Sequence, residues 1–381
     1  MPHADSDGYP PMIVALFPGL ATAGGIQMAG RQTAAALSSI ANERGCSCAF
    51  LSLNDAKGGH QAEGGGLPFR FRGFGRNKPR FILAALRLAR AHPNIIFAAH
   101  TNLAPITLAM KFFARNAQII VGTHGIEVWQ PLPAVRRNAL RRADLVLAPS
   151  FDTVQKLLHI QGLAETNVRR LPWPVDSEIM ELAEPHQKLP RPAGFPDGRV
   201  ILTVGRWAAN ERYKGADLLI QAAAALASEF PDLNLVLVGS GEDLPRLQKL
   251  ARESGALPHV HFLTNLSRRE LAFCYDSAEI FALPSTGEGF GLVFLEAMAF
   301  RKPVIGTPSG GIPDIVEDGV TGILVNPKNP SSLPSALRAL LSNNDLRLKM
   351  GERAREVVRT RYAFQSFRAN LATLLHLANT E

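Results

Sequence analysis

Residues 279–300 read EIFALPSTGEGFGLVFLEAMAF, and this stretch decides the fold. The apolar run 279–283 reads as a buried strand. Pro284 and the glycines at 287, 289 and 291 then mark a turn, and the residues from Gly291 to Phe300 read as a helix. Strand, tight turn and helix make half of a βαβ unit. The same alternation runs outward both ways. Strands are expected at 200–204, 234–238, 259–263, 303–306 and 322–325, with helices at 216–230, 243–253 and 268–275 and helical segments from 331 onward. Nearer the N-terminus, strands at 12–17 (MIVALF), 48–53, 95–99, 118–121 and 145–148 alternate with helices such as 27–43, 78–91 and 133–143. Short, unbroken apolar runs of this kind belong to parallel strands covered on both faces. The expected fold is α/β, with two Rossmann-like domains facing each other across a cleft. Ligands in such sheets bind outside the carboxyl ends of the strands.

The length of 381 residues suits two domains. Residues 171–198 contain six prolines, which break both helix and ladder. The expected division is therefore a first domain at 1–176, a Pro-rich linker at 177–198, a second domain at 199–361 and a closing segment at 362–381.

Composition narrows the function classes. Hydrophobic residues form 46% of the chain and charged residues 19%, enough to build cores and too apolar for disorder. No apolar run approaches the roughly 18 residues of a membrane span, and the polar N-terminus lacks the basic start of a signal peptide, so a cytoplasmic location is expected. Three cysteines, Cys46, Cys48 and Cys274, fit a reducing compartment, where they act as small buried apolar residues. No HExxH, P-loop or GxSxG motif occurs. The net charge of +8 invites anionic partners. Arg70, Arg72, Arg76, Lys78 and Arg80 alternate with Phe69, Phe71, Phe74 and Phe81, while Arg136, Arg137, Arg141 and Arg142 form a second cluster. Each cluster is either a solvated face or a means of attaching to an anionic membrane surface through basic residues with apolar anchors. Nucleic acid is not expected, because no recognisable binding motif accompanies the charge.

Four segments carry candidate chemistry. The turn around Gly289-Phe290-Gly291 opens a helix, and its free N–H groups suit a phosphate. Glu288 precedes that helix and Glu296 lies in its second turn. Vicinal sugar hydroxyls donate to carboxylates, so both acids suit sugar rings; the alternatives are a helix-dipole charge and a surface residue. Arg206 and Lys214 lie in the loop after strand 200–204. They are suited to clamp a diphosphate, the Arg bidentate and the Lys as a point charge, unless the loop is simply basic and exposed. His124, followed by Gly125, sits at a strand's carboxyl end and is either a substrate-facing donor and proton-transfer group or a structural histidine. Gly24-Gly25 after the first strand allows close backbone approach to a ligand, or is a plain turn. Gly239-Ser240-Gly241 is a partial GxGxxG whose third glycine is replaced by Leu244, a weak dinucleotide signal.

Taken in order, these segments resemble the retaining glycosyltransferases of family 4, which have the GT-B fold. Pro303-Val-Ile-Gly306, the run GGIPDIVEDG at 310–319 and TGILVNP at 321–327 resemble the family's C-terminal pattern. The resemblance covers nearly the whole chain. It implies a hexose-type transfer from a nucleotide-sugar donor held mainly by the second domain to an acceptor bound mainly by the first, with no required metal and no cofactor beyond the co-substrate. It implies that Glu288 and His124 lie near the transferred sugar, that Glu296 meets the ribose, and that Arg206 and Lys214 neutralise the leaving diphosphate. Donor contacts are implied at Gly24, Gly25, Gly239, Leu266, Phe290, Gly291 and Leu292. In such retaining members the incoming hydroxyl attacks from the leaving group's own face, so Glu288 is not assigned as a nucleophile. The closing segment would cross back to the first domain. Many members place the Lys five residues after the Arg; here the spacing is eight, with Arg212 as a competitor for the role. The expected setting is polysaccharide or glycolipid assembly, with a lipid-linked sugar as one acceptor. A nucleotide-sugar epimerase and a non-catalytic sugar-binding protein are the alternatives.

Overall fold

The computed structural model describes residues 12–22, 24–60, 69–185 and 187–375. The chain divides into two compact units, Met1–Pro174 with Phe364–Glu381, and Val175–Ala363.

In the first unit, β1 (Met12–Phe17), α1 (Gly25–Glu43), β2 (Ser47–Ser52), β3 (Gly58–His60), β4 (Phe71–Gly73), α2 (Lys78–Ala89), β5 (Ile95–Ala98), α3 (Ala104–Phe113), β6 (Gln118–Gly122), α4 (Ala134–Arg141), β7 (Leu145–Ala148), α5 (Phe151–His159) and β8 (Val168–Arg170) follow in order. They form one sheet in the order β3-β4-β2-β1-β5-β6-β7-β8. All pairings are parallel except β3 with β4. Neighbouring residues Ile13, Val14, Ala15 and Leu16 of β1 all have 0% exposure. Both faces of the strand are covered, which is why its sequence is apolar without alternation. Phe81, Met110 and Leu140, from α2, α3 and α4, close the core over Val14, Leu16, Ile96 and Val121.

The second unit holds α6 (Ser177–Leu182), β9 (Arg199–Val204), α7 (Ala216–Leu226), β10 (Leu233–Val238), α8 (Leu244–Glu253), β11 (Val260–Leu263), α9 (Arg268–Ser277), β12 (Ile280–Ala282), α10 (Leu292–Ala299), β13 (Val304–Gly306), α11 (Ile312–Ile315), β14 (Gly322–Leu324), α12 (Ser332–Ser342) and α13 (Asn344–Arg361). Its sheet is parallel throughout, in the order β11-β10-β9-β12-β13-β14. The chain winds one way from β9 to β11 and the other way from β12 to β14. The switch point therefore lies between β9 and β12, where a ligand crevice opens in folds of this kind. The last helix, α14 (Phe364–Leu374), falls in the first unit. There Phe367 packs on Trp173 and Arg368 pairs with Glu43 at 2.5 Å.

Three expectations need correction. The boundary between the units falls at Pro174, and the stretch expected as a linker, 177–198, belongs to the second unit and begins with a helix. Asp176 caps that helix by accepting from the Glu178 N–H at 3.0 Å, a local signal that the surrounding prolines masked. The short strands β3 and β8 at the sheet's two edges, and β4 beside β3, were not expected; each is three residues long, too short to show a period. The phenylalanines read as membrane anchors, Phe69, Phe71, Phe74 and Phe81, are all buried in the first unit. Phe74 and Phe81 meet edge to face at 5.3 Å. Between them the arginines point outward, so the alternation marks a short half-buried strand and an amphipathic helix.

Candidate functional site

The second unit gathers its candidate residues on loops at the carboxyl edge of the sheet, around the switch point. Arg206 lies two residues beyond β9, Gly239 immediately after β10, Leu266 three residues beyond β11 and Glu288 six residues beyond β12. The loops are stitched together by backbone. Trp207 N–H donates to the Ser240 carbonyl at 2.9 Å, joining the loops after β9 and β10. Thr286 N–H donates to the Tyr213 carbonyl at 2.8 Å, joining those after β9 and β12. Gly311 N–H reaches the Glu288 carbonyl at 2.9 Å from the loop after β13. Two glycines make the approaches possible. A Cβ on Gly239 (φ 130°) would meet the Gly205 carbonyl oxygen at 1.8 Å, and one on Gly215 (φ 77°) the Pro284 carbonyl oxygen at 2.7 Å. The Gly239-Ser-Gly241 run is thus explained by loop packing, without a dinucleotide.

On that platform the charges interlock. Lys214 Nζ stands 2.9 Å from Glu211 Oε2, and Arg206 contacts the other oxygen of the same carboxylate. Burial lowers the Lys214 pKa, while the nearby Glu288 carboxylate works to raise it. Burial raises the Glu288 pKa, offset in part by Lys214. Arg212, the competitor to Lys214, instead pairs with Asp243 at 3.1 Å; Asp243 is held by Arg246 as well. The structure therefore groups Arg206, Lys214 and Glu288 and directs Arg212 elsewhere.

Glu296 is 5% exposed on α10, which excludes the surface alternative. Tyr275 of α9 donates its hydroxyl to Glu296 Oε2 at 2.7 Å. Burial raises the Glu296 pKa, with Arg268 and the Tyr275 hydrogen bond acting against it. Gly291 caps α10 with φ 105°, Leu292 is the helix's first residue, and the Phe290 side chain is buried toward Tyr362, leaving its backbone for any contact.

His124, Gly24 and Gly25 belong to the first unit. Gly24 caps α1, whose first N–H groups have no side-chain cap, and Gly25 is its first residue. His124 follows β6 and its Nε2 lies 2.8 Å from the Ala99 carbonyl oxygen. A carbonyl only accepts, so Nε2 carries the proton and Nδ1 is left as an acceptor. The ring stacks on Trp173 at 5.3 Å and faces His100 at 5.5 Å. Burial lowers the pKa of both histidines to about 4, so both rings are neutral at pH 7.

Sequence reading missed Glu211, His100, Tyr275 and Asp55. Asp55, 4% exposed, accepts from the Leu20 N–H at 2.7 Å and the Ser52 hydroxyl at 2.6 Å, and so shapes the loop after β1. Only His100 carried a signal, as a polar residue at the end of the apolar run of β5. The cysteines are inert: Cys46 and Cys48 are half-buried, Cys274 is buried, and burial pushes the Cys48 and Cys274 thiols up to about 12.

The chain matches two family profiles, Glycosyltransferase Family 4 over residues 24–179 and Glycosyl transferases group 1 over residues 186–357. It is 32% identical over 281 residues to the GDP-mannose-dependent alpha-(1-6)-phosphatidylinositol monomannoside mannosyltransferase of Mycolicibacterium smegmatis, covering 70% of this chain and 72% of that protein. It is 36% identical over 222 residues to the D-inositol 3-phosphate glycosyltransferase of Corynebacterium jeikeium, covering 56% of this chain and about half, 52%, of that relative's length. Among solved structures, sucrose-phosphate synthase of Thermosynechococcus elongatus superposes with a TM-score of 0.75 at 22% identity, covering 96% of this chain and 98% of the other. HepE of Anabaena, solved with UDP, gives 0.72 at 17% identity, covering 96% and 99%. These structures share the fold. The chain belongs to family 4 of the glycosyltransferases, and its fold is of the GT-B class.

Proposed function

We propose that this protein transfers a hexose-type sugar from a nucleoside-diphosphate sugar, with retention of configuration, to a hydroxyl of a saccharide or lipid-linked acceptor. One observation carries the reading: two cations, Arg206 and Lys214, and the carboxylate of Glu288 meet at the switch point of a Rossmann-like sheet, beside the N-terminus of α10. In this reading the cations take the diphosphate, the α10 N-terminus adds N–H donors and Glu288 takes sugar hydroxyls. Glu296, steadied by Tyr275, takes the ribose. The acceptor oxygen bonds to the anomeric carbon as the bond from that carbon to the phosphate oxygen breaks. The acceptor's proton passes to a phosphate oxygen, and the nucleoside diphosphate leaves with its charge met by Arg206 and Lys214. His124, being neutral, acts as a hydrogen-bonding neighbour of the sugar. This scheme needs no metal, and activity should persist in chelator.

The relatives' names pair a sugar transfer with a phosphorylated inositol or an inositol lipid, which supports an acceptor of glycolipid type and a peripheral membrane setting. Residues 70–143 contain 13 of the chain's 41 basic residues and one of its 33 acidic residues, so the basic excess is concentrated in the first unit. The adjacent helices α2, α3 and α4 expose Ile82, Leu83, Phe112 and Val135 among these cations, and an anionic bilayer suits that face.

The test is product analysis by NMR with a panel of UDP-, GDP- and ADP-sugars and inositol phosphate or lipid acceptors. Transfer with retained anomeric configuration supports the reading; epimerised sugar nucleotide formed without acceptor contradicts it. Glu296→Ala should weaken nucleotide binding and Arg206→Ala should chiefly depress turnover. A charged hydrogen bond is worth about 1.5–3 kcal/mol, so each effect should reach roughly ten-fold or more.

A further inference from the structure

The eight-residue spacing between Arg206 and Lys214 brings an acid into the clamp. The 3-10 segment Ala209–Lys214 breaks its helical geometry at Glu211, at φ −116° and ψ 24°. That kink accompanies an inward side chain: Glu211 is 9% exposed and its carboxylate bridges both cations, one oxygen on Arg206 and the other 2.9 Å from Lys214 Nζ. The cations differ in what they have left to offer. The Arg206 side chain is 70% exposed, and its five-donor fork can accept a second anion. The Lys214 side chain is 15% exposed, lies against Glu211 and has its other contact, 3.4 Å, with the Arg206 carbonyl oxygen. With Glu288 close by, two positive and two negative side chains sit together and their formal charges cancel. Such a cluster attracts a diphosphate weakly unless one acid withdraws.

We propose that Glu211 is an internal competitor of the donor's diphosphate. Its carboxylate holds the two cations together, and gives up Lys214 when a diphosphate binds. When the product diphosphate departs, Glu211 returns to Lys214 and so favours release. Glu211 is a positioning residue: it sets donor and product affinity through Arg206 and Lys214. The inference rests on the reading that these two cations hold the diphosphate.

The experiment is calorimetric titration of wild type, Glu211→Gln and Lys214→Ala with UDP, GDP and ADP, and with the monophosphate of whichever base binds. Removing the competing charge should tighten the nucleoside diphosphate roughly ten-fold. The monophosphate should gain less, and kcat should fall as product release slows. Lys214→Ala should weaken the diphosphate. Unchanged or weaker diphosphate binding by Glu211→Gln, with Lys214→Ala also weakened, overturns the role of Glu211 and leaves the diphosphate site standing. Unchanged binding by Lys214→Ala overturns the site itself, and the inference with it. An equal gain for mono- and diphosphate also overturns the inference. If Glu211→Gln fails to fold by circular dichroism, Glu211→Asp, whose shorter arm reaches one cation, should give a smaller gain; a loss contradicts the proposal.

Discussion

At the scale of single residues, the site is held by polar groups whose partners lie far off in sequence. Glu296 meets Tyr275 21 residues away, and His124 meets the Ala99 carbonyl 25 residues away. Sequence motifs named Glu296 and His124 but had no means of naming the partners, because only the folded sheet brings α9 onto α10 and β5 beside β6. The paired histidines make a pH prediction. Their folded pKa values, about 4, lie below the ordinary 6.5, so the unfolded chain binds more protons between those limits. Their contribution to stability is complete above pH 6.5 and is lost as the pH falls toward 4. Thermal melts between pH 7 and 4.5 should show a decline that is shallower in His124→Gln. An identical slope in the variant would contradict the assignment.

At the scale of elements, the apolar runs located most strands within a residue or two, because a doubly covered parallel strand is apolar on both faces. The shortest strands escaped notice, since a three-residue strand such as β4 alternates only once. Helix α6 escaped because its cap lies among prolines. The glycine-rich loops were legible as special, but not for the right reason at Gly239, where the constraint is another loop's backbone. Gly239→Ala should therefore destabilise the second unit by about 1–3 kcal/mol and weaken nucleotide binding. Gly255→Ala is a fair comparison: its φ is 72° and nothing lies within 4 Å of the added Cβ, so only the backbone cost remains. Denaturant titration of the pair checks this; equal losses would show that loop packing is not what constrains Gly239.

At the scale of the whole molecule, the alternation of strands and helices made both Rossmann-like units legible, while the basic excess was visible only as clusters. The phenylalanines offered as its apolar anchors instead fill the core, while Ile82, Leu83, Phe112 and Val135 are among the exposed apolar residues near it. Among the described residues no helix is long and apolar enough to cross a membrane. Co-sedimentation with vesicles containing anionic lipid should retain the protein at low salt. Each basic residue near the surface adds about 1 kcal/mol, so the double variant Arg136→Glu, Arg137→Glu should release most of it. Absence of binding by wild type at low salt would remove the membrane from the account.

A crystal structure of the protein with a nucleoside diphosphate would show where the donor's diphosphate rests. Phosphate oxygens should lie within hydrogen-bonding reach of Arg206 and Lys214, with the ribose at Glu296. A nucleotide bound elsewhere, with those three side chains untouched, would contradict it.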